Sequence, residues 1–399
     1  MNERRLHQAL VGVTPPDEMG AQRRSWRVVR TAFGEREPTP WPVRHRRPIV
    51  GAPVAVALLA AALSSPGQAV IGGVRDAMGT KTTVVQGVPQ ARPSLFSLPA
   101  PGRVLVTAPT GAWIVSADGH KRRLGDYRDA TWSPGGRFVG VSKASALAAV
   151  TPKGDVRWTL SRPRVHDPAW APSGFRVAYL SGSNVRVVAG DGTGDARIDA
   201  AQNVAPVWRP GEEHLLAFVD PAGNVNVVQT DDKQVLWTAG ESASSPMQLA
   251  WSADGKRLLA VRRLEGGRMA LVVFDGEGRR RQYLELPGTP ADAAFAPREH
   301  SLALLRRIGP RSELVVVNGD SLRNQQVVFS GLGRFSEVTW SPDGRWLLVG
   351  WPSADQWLFI RSADVSKIKA VSSLGVQFDP GGTGAGPFPR IEGWCCPPR

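Results

Sequence analysis

Apolar residues in this chain come mostly as short runs closed by turn formers. Arg257-Leu258-Leu259-Ala260-Val261 and Trp346-Leu347-Leu348-Val349 are of this kind, as are Leu271-Val272-Val273-Phe274 and Leu314-Val315-Val316-Val317. Runs of this length, bounded by Gly, Pro, Asp or Asn, predict strands. Asp118-Gly119, Asp191-Gly192, Asp275-Gly276 and Asn318-Gly319 follow them and read as hairpin turns with positive φ at both central residues. One segment breaks the pattern. Ile49 to Leu63, IVGAPVAVALLAAAL, has 15 residues without a charge, after Arg44-His45-Arg46-Arg47 and before Ser64-Ser65-Pro66-Gly67-Gln68. The two serines bring it to the lower edge of the roughly 17 to 25 residues a membrane span needs.

A cleaved secretory signal would also have small residues, Gly67-Gln68-Ala69, after a short apolar run, and a buried core helix is a third reading. Forty-eight residues precede the segment, more than a signal peptide requires, and the arginines and Pro66 sit badly beside a core helix. The expectation is a signal anchor with the arginine side in the cytoplasm and the rest of the chain outside. No lipobox cysteine follows. In the tail, Glu3 to Val11 and Arg23 to Phe33 have helical spacing, with Leu6 and Leu10 on one face and Trp26, Val29 and Phe33 on another. A basic amphipathic tail suits the inner leaflet; prolines 38, 40, 42 and 48 then make a stiff linker.

Beyond the span a unit recurs. It is Trp132-Ser133-Pro134-Gly135-Gly136-Arg137, Trp170-Ala171-Pro172-Ser173-Gly174, Trp208-Arg209-Pro210-Gly211, Trp251-Ser252-Ala253-Asp254-Gly255-Lys256 and Trp340-Ser341-Pro342-Asp343-Gly344-Arg345. Phe295-Ala296-Pro297-Arg298 is a sixth copy, and Leu98-Pro99-Ala100-Pro101-Gly102-Arg103 a degenerate seventh. Intervals of 34 to 45 residues match the blade of a β-propeller. The predicted fold is therefore all-β, a propeller of about seven four-stranded blades with six as the alternative, preceded by a short helical tail and one transmembrane helix. Trp132, Trp170, Trp208, Trp251, Phe295 and Trp340 are the structural aromatics, expected where one blade faces the next. Pro342, Asp343 and Gly344 shape the turn, proline presetting φ and glycine supplying the left-handed position. Ring closure by the chain ends would use Thr83 to Gln86 or Phe388 to Trp394 as an outer strand.

The Trp340 to Arg345 pattern resembles the TolB-type, WD-repeat-like propeller unit over about residues 95 to 365. With the basic tail and single apolar segment, the chain is similar to membrane-anchored TolB-like proteins of GC-rich Gram-positive bacteria. The resemblance implies a fold and says little about activity. TolB itself is periplasmic and has an additional N-terminal domain, for which this chain has no room, so its lipoprotein partner does not carry over.

Composition agrees with many short elements: 43 glycines and 33 prolines in 399 residues, and 14 tryptophans against 3 tyrosines. The net charge of +14 raises nucleic-acid binding, yet no long basic run, zinc spacing or aromatic RNA-binding signature accompanies it, and no nucleic-acid partner is expected. Residues 1 to 48 hold 10 arginines against 5 acids. Cys395 and Cys396, adjacent near the end, exclude a disulfide framework or a CxxC metal site; they read as tail thiols or a terminal disulfide.

Candidate chemistry is sparse. The six histidines form no HExxH or HxH pair, although His166 and His214, near Trp170 and Trp208, would approach a common face. No GxSxG elbow occurs, and about 35 residues after the last repeat cannot hold a serine-hydrolase domain. Asp191-Gly192-Thr193-Gly194-Asp195 has too few acids for an EF-hand loop and reads as a glycine-rich hairpin. Pro152 to Trp158 and Thr230 to Trp237 have a turn before a strand ending in tryptophan, as in quinoprotein propeller repeats.

The expected organisation is a cytoplasmic tail over 1–48, a signal anchor and extension over 49–74, a linker over 75–94, an extracytoplasmic propeller over 95–380 and a C-terminal tail over 381–399. The expected function is a non-enzymatic scaffold that binds a protein, peptide or polymer at the cell envelope, held in the cytoplasmic membrane through 49–65, with no catalytic residue, cofactor or metal. Two alternatives stand beside it. One is an envelope sensor signalling through the tail; the other is a propeller enzyme, quinone-dependent or otherwise, which would gather titratable side chains at one channel mouth.

Overall fold

The computed structural model describes residues 97–211, 214–240, 244–379 and 387–396. The tail, the apolar segment 49–63, the linker and Thr83 to Gln86 lie outside them, as does part of the C-terminal tail. Among the described residues no helix is long and apolar enough to cross a membrane.

Seven four-stranded antiparallel sheets form seven blades. Six of them open with an inner strand: β4 (Asp129–Trp132), β8 (Val165–Trp170), β12 (Val207–Trp208), β16 (Pro246–Trp251), β20 (Thr289–Phe295) and β24 (Val338–Trp340). They head blades 2 to 7 in order. Blade 1 is made from both chain ends: β1 (Arg103–Ala108), β2 (Gly111–Val115) and β3 (Lys121–Gly125) pair onward from β28 (Arg390–Cys395). Strand β28 neighbours β24 on one side and β4 on the other, so the C-terminal strand closes the ring from inside. The expectation of an outer closing strand is thereby corrected. The register sets Trp394 opposite Val104, as Trp340 is set opposite Leu347. Trp394 is therefore the seventh repeat aromatic, a place the sequence reading gave to Leu98 to Arg103.

The continuous apolar runs are second and third strands, covered by a blade on each face, so that successive side chains, which point to opposite faces, are all buried. In β25 (Trp346–Trp351), Leu347 and Val349 enter the cluster between blades 6 and 7 while Leu348 enters that between blades 7 and 1. Outer strands have one wet face, and β7 (Val156–Ser161) alternates accordingly between exposed and half-buried positions. Seven apolar clusters result, each drawn from two adjacent blades. The stability of the ring lies in these seams.

The hairpin expectation fails in detail. Gly119 (φ 84) and Gly192 (φ 90) are left-handed, but the preceding aspartates are not; in the third turn Gly278 (φ 80) takes that position instead of Gly276, and in the fourth Leu322 and Asn324 do. In the first, Gly119 N–H donates to Ser116 and Ser116 N–H to His120, a three-residue loop ending on a left-handed glycine. Such a loop needs one positive φ, not two.

Candidate functional site

The repeat aromatics end the inner strands and enter the seams. Trp170, Trp208, Trp251, Trp340 and Trp394 are buried, and Trp132 and Phe295 partly so. Two of them also tie blades by hydrogen bonds: Trp208 Nε1 donates to Ala169 O (2.9 Å) and Trp340 Nε1 to Ala294 O (2.9 Å), each on the preceding inner strand. The turn that follows is satisfied internally. Ser341, fully buried, donates to Asp343 Oδ1 (2.6 Å) and accepts from Trp346 N–H (2.9 Å), while Asp343 also accepts from Arg345 N–H (3.1 Å) and Gly344 is left-handed at φ 71. Burial opposes the charge on Asp343, but the Ser341 and Arg345 hydrogen bonds hold its carboxyl below the usual range. Pro342, Asp343 and Gly344 therefore build structure where the inner strands finish.

The same end carries inter-blade latches. Asp231 accepts from His214 Nδ1 (2.9 Å) and pairs with Arg176 (3.0 Å) between blades 3 and 4; Asp320 does the same with His300 (2.8 Å) and Arg257 (3.0 Å) between blades 5 and 6. His166 lies at the start of β8 and His214 beyond the end of β12, at opposite ends of the channel, so they do not share a face. The tryptophans of the quinoprotein-like stretches are seam residues too. Trp158 Nε1 donates to Gly190 O (2.8 Å) and Trp237 Nε1 to Gly276 O (3.0 Å), each in the next blade's outer hairpin. Cys395 and Cys396 are joined as a vicinal disulfide at the closing strand.

Where the inner strands begin lies a ring of polar side chains that the repeat motif does not include. The residue three places before the repeat aromatic is Asp129, Asp167, Gln248, Asp292 and Glu337 in blades 2, 3, 5, 6 and 7, and β28 adds Glu392. In blade 6 the ring position is saturated by hydrogen bonds, while in blade 7 Glu337 Oε2 is buried without a partner among the described residues. Gln248 Nε2 (2.6 Å), Ala293 N–H (2.8 Å) and Val338 N–H (2.8 Å) all donate to Asp292, tying three consecutive inner strands. Burial nevertheless lifts the Asp292 carboxyl to about 7, against those N–H donors and with help from Glu337.

Over blades 1 to 3 the ring opens into a cavity of about 760 Å³ lined by Asp129, Arg164, His166, Asp167, Asn203 and Arg390, among others. Asp129 accepts from Ser142 Oγ (2.6 Å) and has Arg390 at 3.7 Å. Asp167 Oδ2 meets His166 Nδ1 at 2.9 Å, and this contact holds the imidazole pKa above its ordinary value although burial works against the charge. Arg390 lies 3.4 Å from Glu392, and four carboxylates, Glu392, Asp129, Glu337 and Asp167, raise its pKa. Burial pushes Glu392 up to about 7 in spite of Arg390 and the Thr107 hydroxyl. Arg164 (φ 51) and Asp167 (φ 48) are left-handed without being glycine, as are His214, Lys233 and Asp355 in other loops of the ring. Among the described residues no group of three His, Cys, Asp or Glu side chains has metal-binding geometry.

No protein-family model and no curated protein matches the sequence. Solved structures do. The chain is similar to a putative 6-phosphogluconolactonase from Bacteroides uniformis, at 16% identity and a TM-score of 0.51 over 68% of this chain and 95% of that one. It is also similar to Hsv2p of Kluyveromyces lactis, at 14% identity and a TM-score of 0.50 over 65% and 89% of the two chains. At such identities the likeness is one of fold alone, and it supports the seven-bladed propeller.

Proposed function

We propose that this chain is a TolB-like propeller, anchored through residues 49–65 with its tail inside and its propeller outside the cytoplasmic membrane, that works as a non-enzymatic scaffold holding an envelope partner at the open half of its channel mouth. One observation carries the reading. The inner-strand position that is saturated at Asp292 in blade 6 is left facing a cavity at Asp129 and Asp167, at one end of a ring whose loops are free to vary. Protease added to spheroplasts should degrade an epitope beyond residue 95 and spare one before residue 40. The reverse pattern would put the cavity in the cytoplasm and end the envelope reading.

A propeller enzyme is the second reading, favoured by the His166–Asp167 pair in the same cavity, since a carboxylate-held imidazole is a common proton carrier. The two separate on the fate of a captured ligand: a scaffold returns it unchanged, an enzyme returns product, and His166→Gln would abolish the conversion.

A further inference from the structure

The residue after the repeat aromatic is a buried serine in blades 2, 5 and 7. Ser133, Ser252 and Ser341 each accept, at the hydroxyl, the backbone N–H five residues on, from Phe138 (2.8 Å), Arg257 (2.9 Å) and Trp346 (2.9 Å), and so fold the turn into the next strand. Blade 1 cannot use this device. Its inner strand is β28, and the strand beside it, β1, comes from the other end of the chain. There the aromatic is followed by Cys395 and Cys396, bonded to one another.

The pair is set into a seam. Cys395 stands opposite Arg103 at the last pairing of β28 with β1. Cys396 is left-handed at φ 62, and its carbonyl and that of Cys395 press on Gly102, where a Cβ would stand 3.2 and 2.6 Å from them. Its Sγ reaches the turn of blade 2, where a Cβ on Gly136 would stand 2.9 Å from the sulfur and also strike the Arg103 guanidinium. That guanidinium is fixed by donating from Nη2 to Gly136 O (2.7 Å) and by lying over the Trp132 ring. Sulfur and fixed cation are therefore neighbours, and both cysteines are only half-buried. A cation beside a half-exposed sulfur stabilises the thiolate and makes it the better leaving group.

We propose that the Cys395–Cys396 pair is a thiol–disulfide exchange site that takes electrons from a dithiol and governs how firmly β28 closes the ring. A thiolate of the dithiol attacks Cys395 Sγ, the S–S bond breaks, and Cys396 leaves as a thiolate beside Arg103. The donor's second thiol then attacks the mixed disulfide, so that the donor ends as a disulfide, Cys395 is released as a thiol, and the donor's two protons pass through solvent to the two cysteines. With the bond gone, Cys396 is free to leave its left-handed conformation, and the contacts at Gly102 and Gly136 go with it. The inference rests on the propeller lying outside the cytoplasmic membrane, where disulfides persist.

The test uses the full chain in neutral detergent, which has no other cysteine, with dithiothreitol as the donor and iodoacetamide as the label. The chain oxidised with diamide should take no label, and the reduced chain should take it at both cysteines. Cys396 should be labelled about tenfold faster than Cys395 at pH 7, a preference lost in Arg103→Gln and kept in Arg103→Lys. Reduction should lower the melting temperature and speed amide exchange in β28 about tenfold while leaving β20 unchanged. The double variant Cys395→Ser, Cys396→Ser should behave as the reduced chain with or without dithiothreitol. Label entering the oxidised chain, or equal rates at the two cysteines, would overturn the exchange site. Equal melting and equal amide exchange in the two redox states would overturn its hold on β28. None of these readings depends on the compartment, so a reversed protease pattern in spheroplasts would count against the envelope placement alone.

Discussion

The indole of Trp158, on the outer strand of blade 2, lies against Gly192 in the hairpin of blade 3, so close that a Cβ on the glycine would stand 2.8 Å from the ring. Gly278 and Trp237 repeat the arrangement between blades 4 and 5, at 2.5 Å. The glycine is thus required twice, once for a left-handed backbone and once for the neighbour's ring.

Gly192→Ala should therefore cost more than the roughly 1 to 2 kcal/mol that a left-handed conformation imposes on a residue with a Cβ. Gly194→Ala is the control, because Gly194 is also left-handed (φ 64) but has nothing within 4 Å of the added carbon. Urea denaturation of the two variants checks this. Equal losses would mean that the Trp158 contact contributes nothing.

Trp394 is followed by only five residues, in a part of the chain where substitution is ordinarily tolerated. As the inner-strand aromatic of blade 1, 7% exposed like Trp340, it should behave as a core residue. Trp394→Ala and Trp340→Ala are each expected to cost about 3 to 5 kcal/mol, and removal of residues 388–399 should abolish the cooperative melt. A truncated chain that melts as the full one does would show that β28 is dispensable.

These two relationships separate what was legible in the sequence from what was not. The Trp-Ser-Pro-Asp-Gly turn is local: Ser341, Asp343, Gly344 and Trp346 satisfy one another within six residues, so each copy announces itself. Closure by β28 is non-local. Val104 and Trp394 pair across almost the whole propeller, and no pattern in either segment says which edge is joined. The carboxylate ring had a signal, an acid or amide three places before an aromatic in five repeats, but its meaning depends on which half the neighbours close. Hairpin type was misjudged because Asp-Gly alone does not fix loop length.

Stability should depend on pH with a defined sign. Asp254 and Asp275 are held at about 2 by their hydrogen bonds, from Ser252, Lys256 N–H and His300 to the first and from Arg279 and Glu277 N–H to the second, against the opposing effect of burial. Their contribution is complete above the unfolded carboxylate value of about 4 and disappears as pH falls toward 2. Asp292 and Glu392, raised to about 7 by burial, act oppositely: the unfolded chain ionises them first, so stability declines as pH rises from about 4 to 7. His300 extends that decline above the ordinary imidazole value of about 6.5, since burial disfavours its charge but Asp320 and Asp254 hold its pKa up, and the stabilisation is lost as it deprotonates. The melting temperature should peak near pH 4 to 5, and Asp292→Asn should flatten the fall toward pH 7. A melting temperature that rises steadily from pH 4 to 7 would contradict these assignments.

The most direct test of partner docking is photocrosslinking in intact cells with a photoreactive residue at Asn203, on the rim of the cavity, and in a second strain at Arg345, beside the turn at the opposite end of the channel. The Asn203 probe should give one discrete adduct with an envelope protein, lost when Asp129→Asn and Asp167→Asn are introduced together at unchanged abundance, and the Arg345 probe should not give it. The same adduct from both probes, or from Arg345 alone, would contradict a partner held at the open half of the channel mouth.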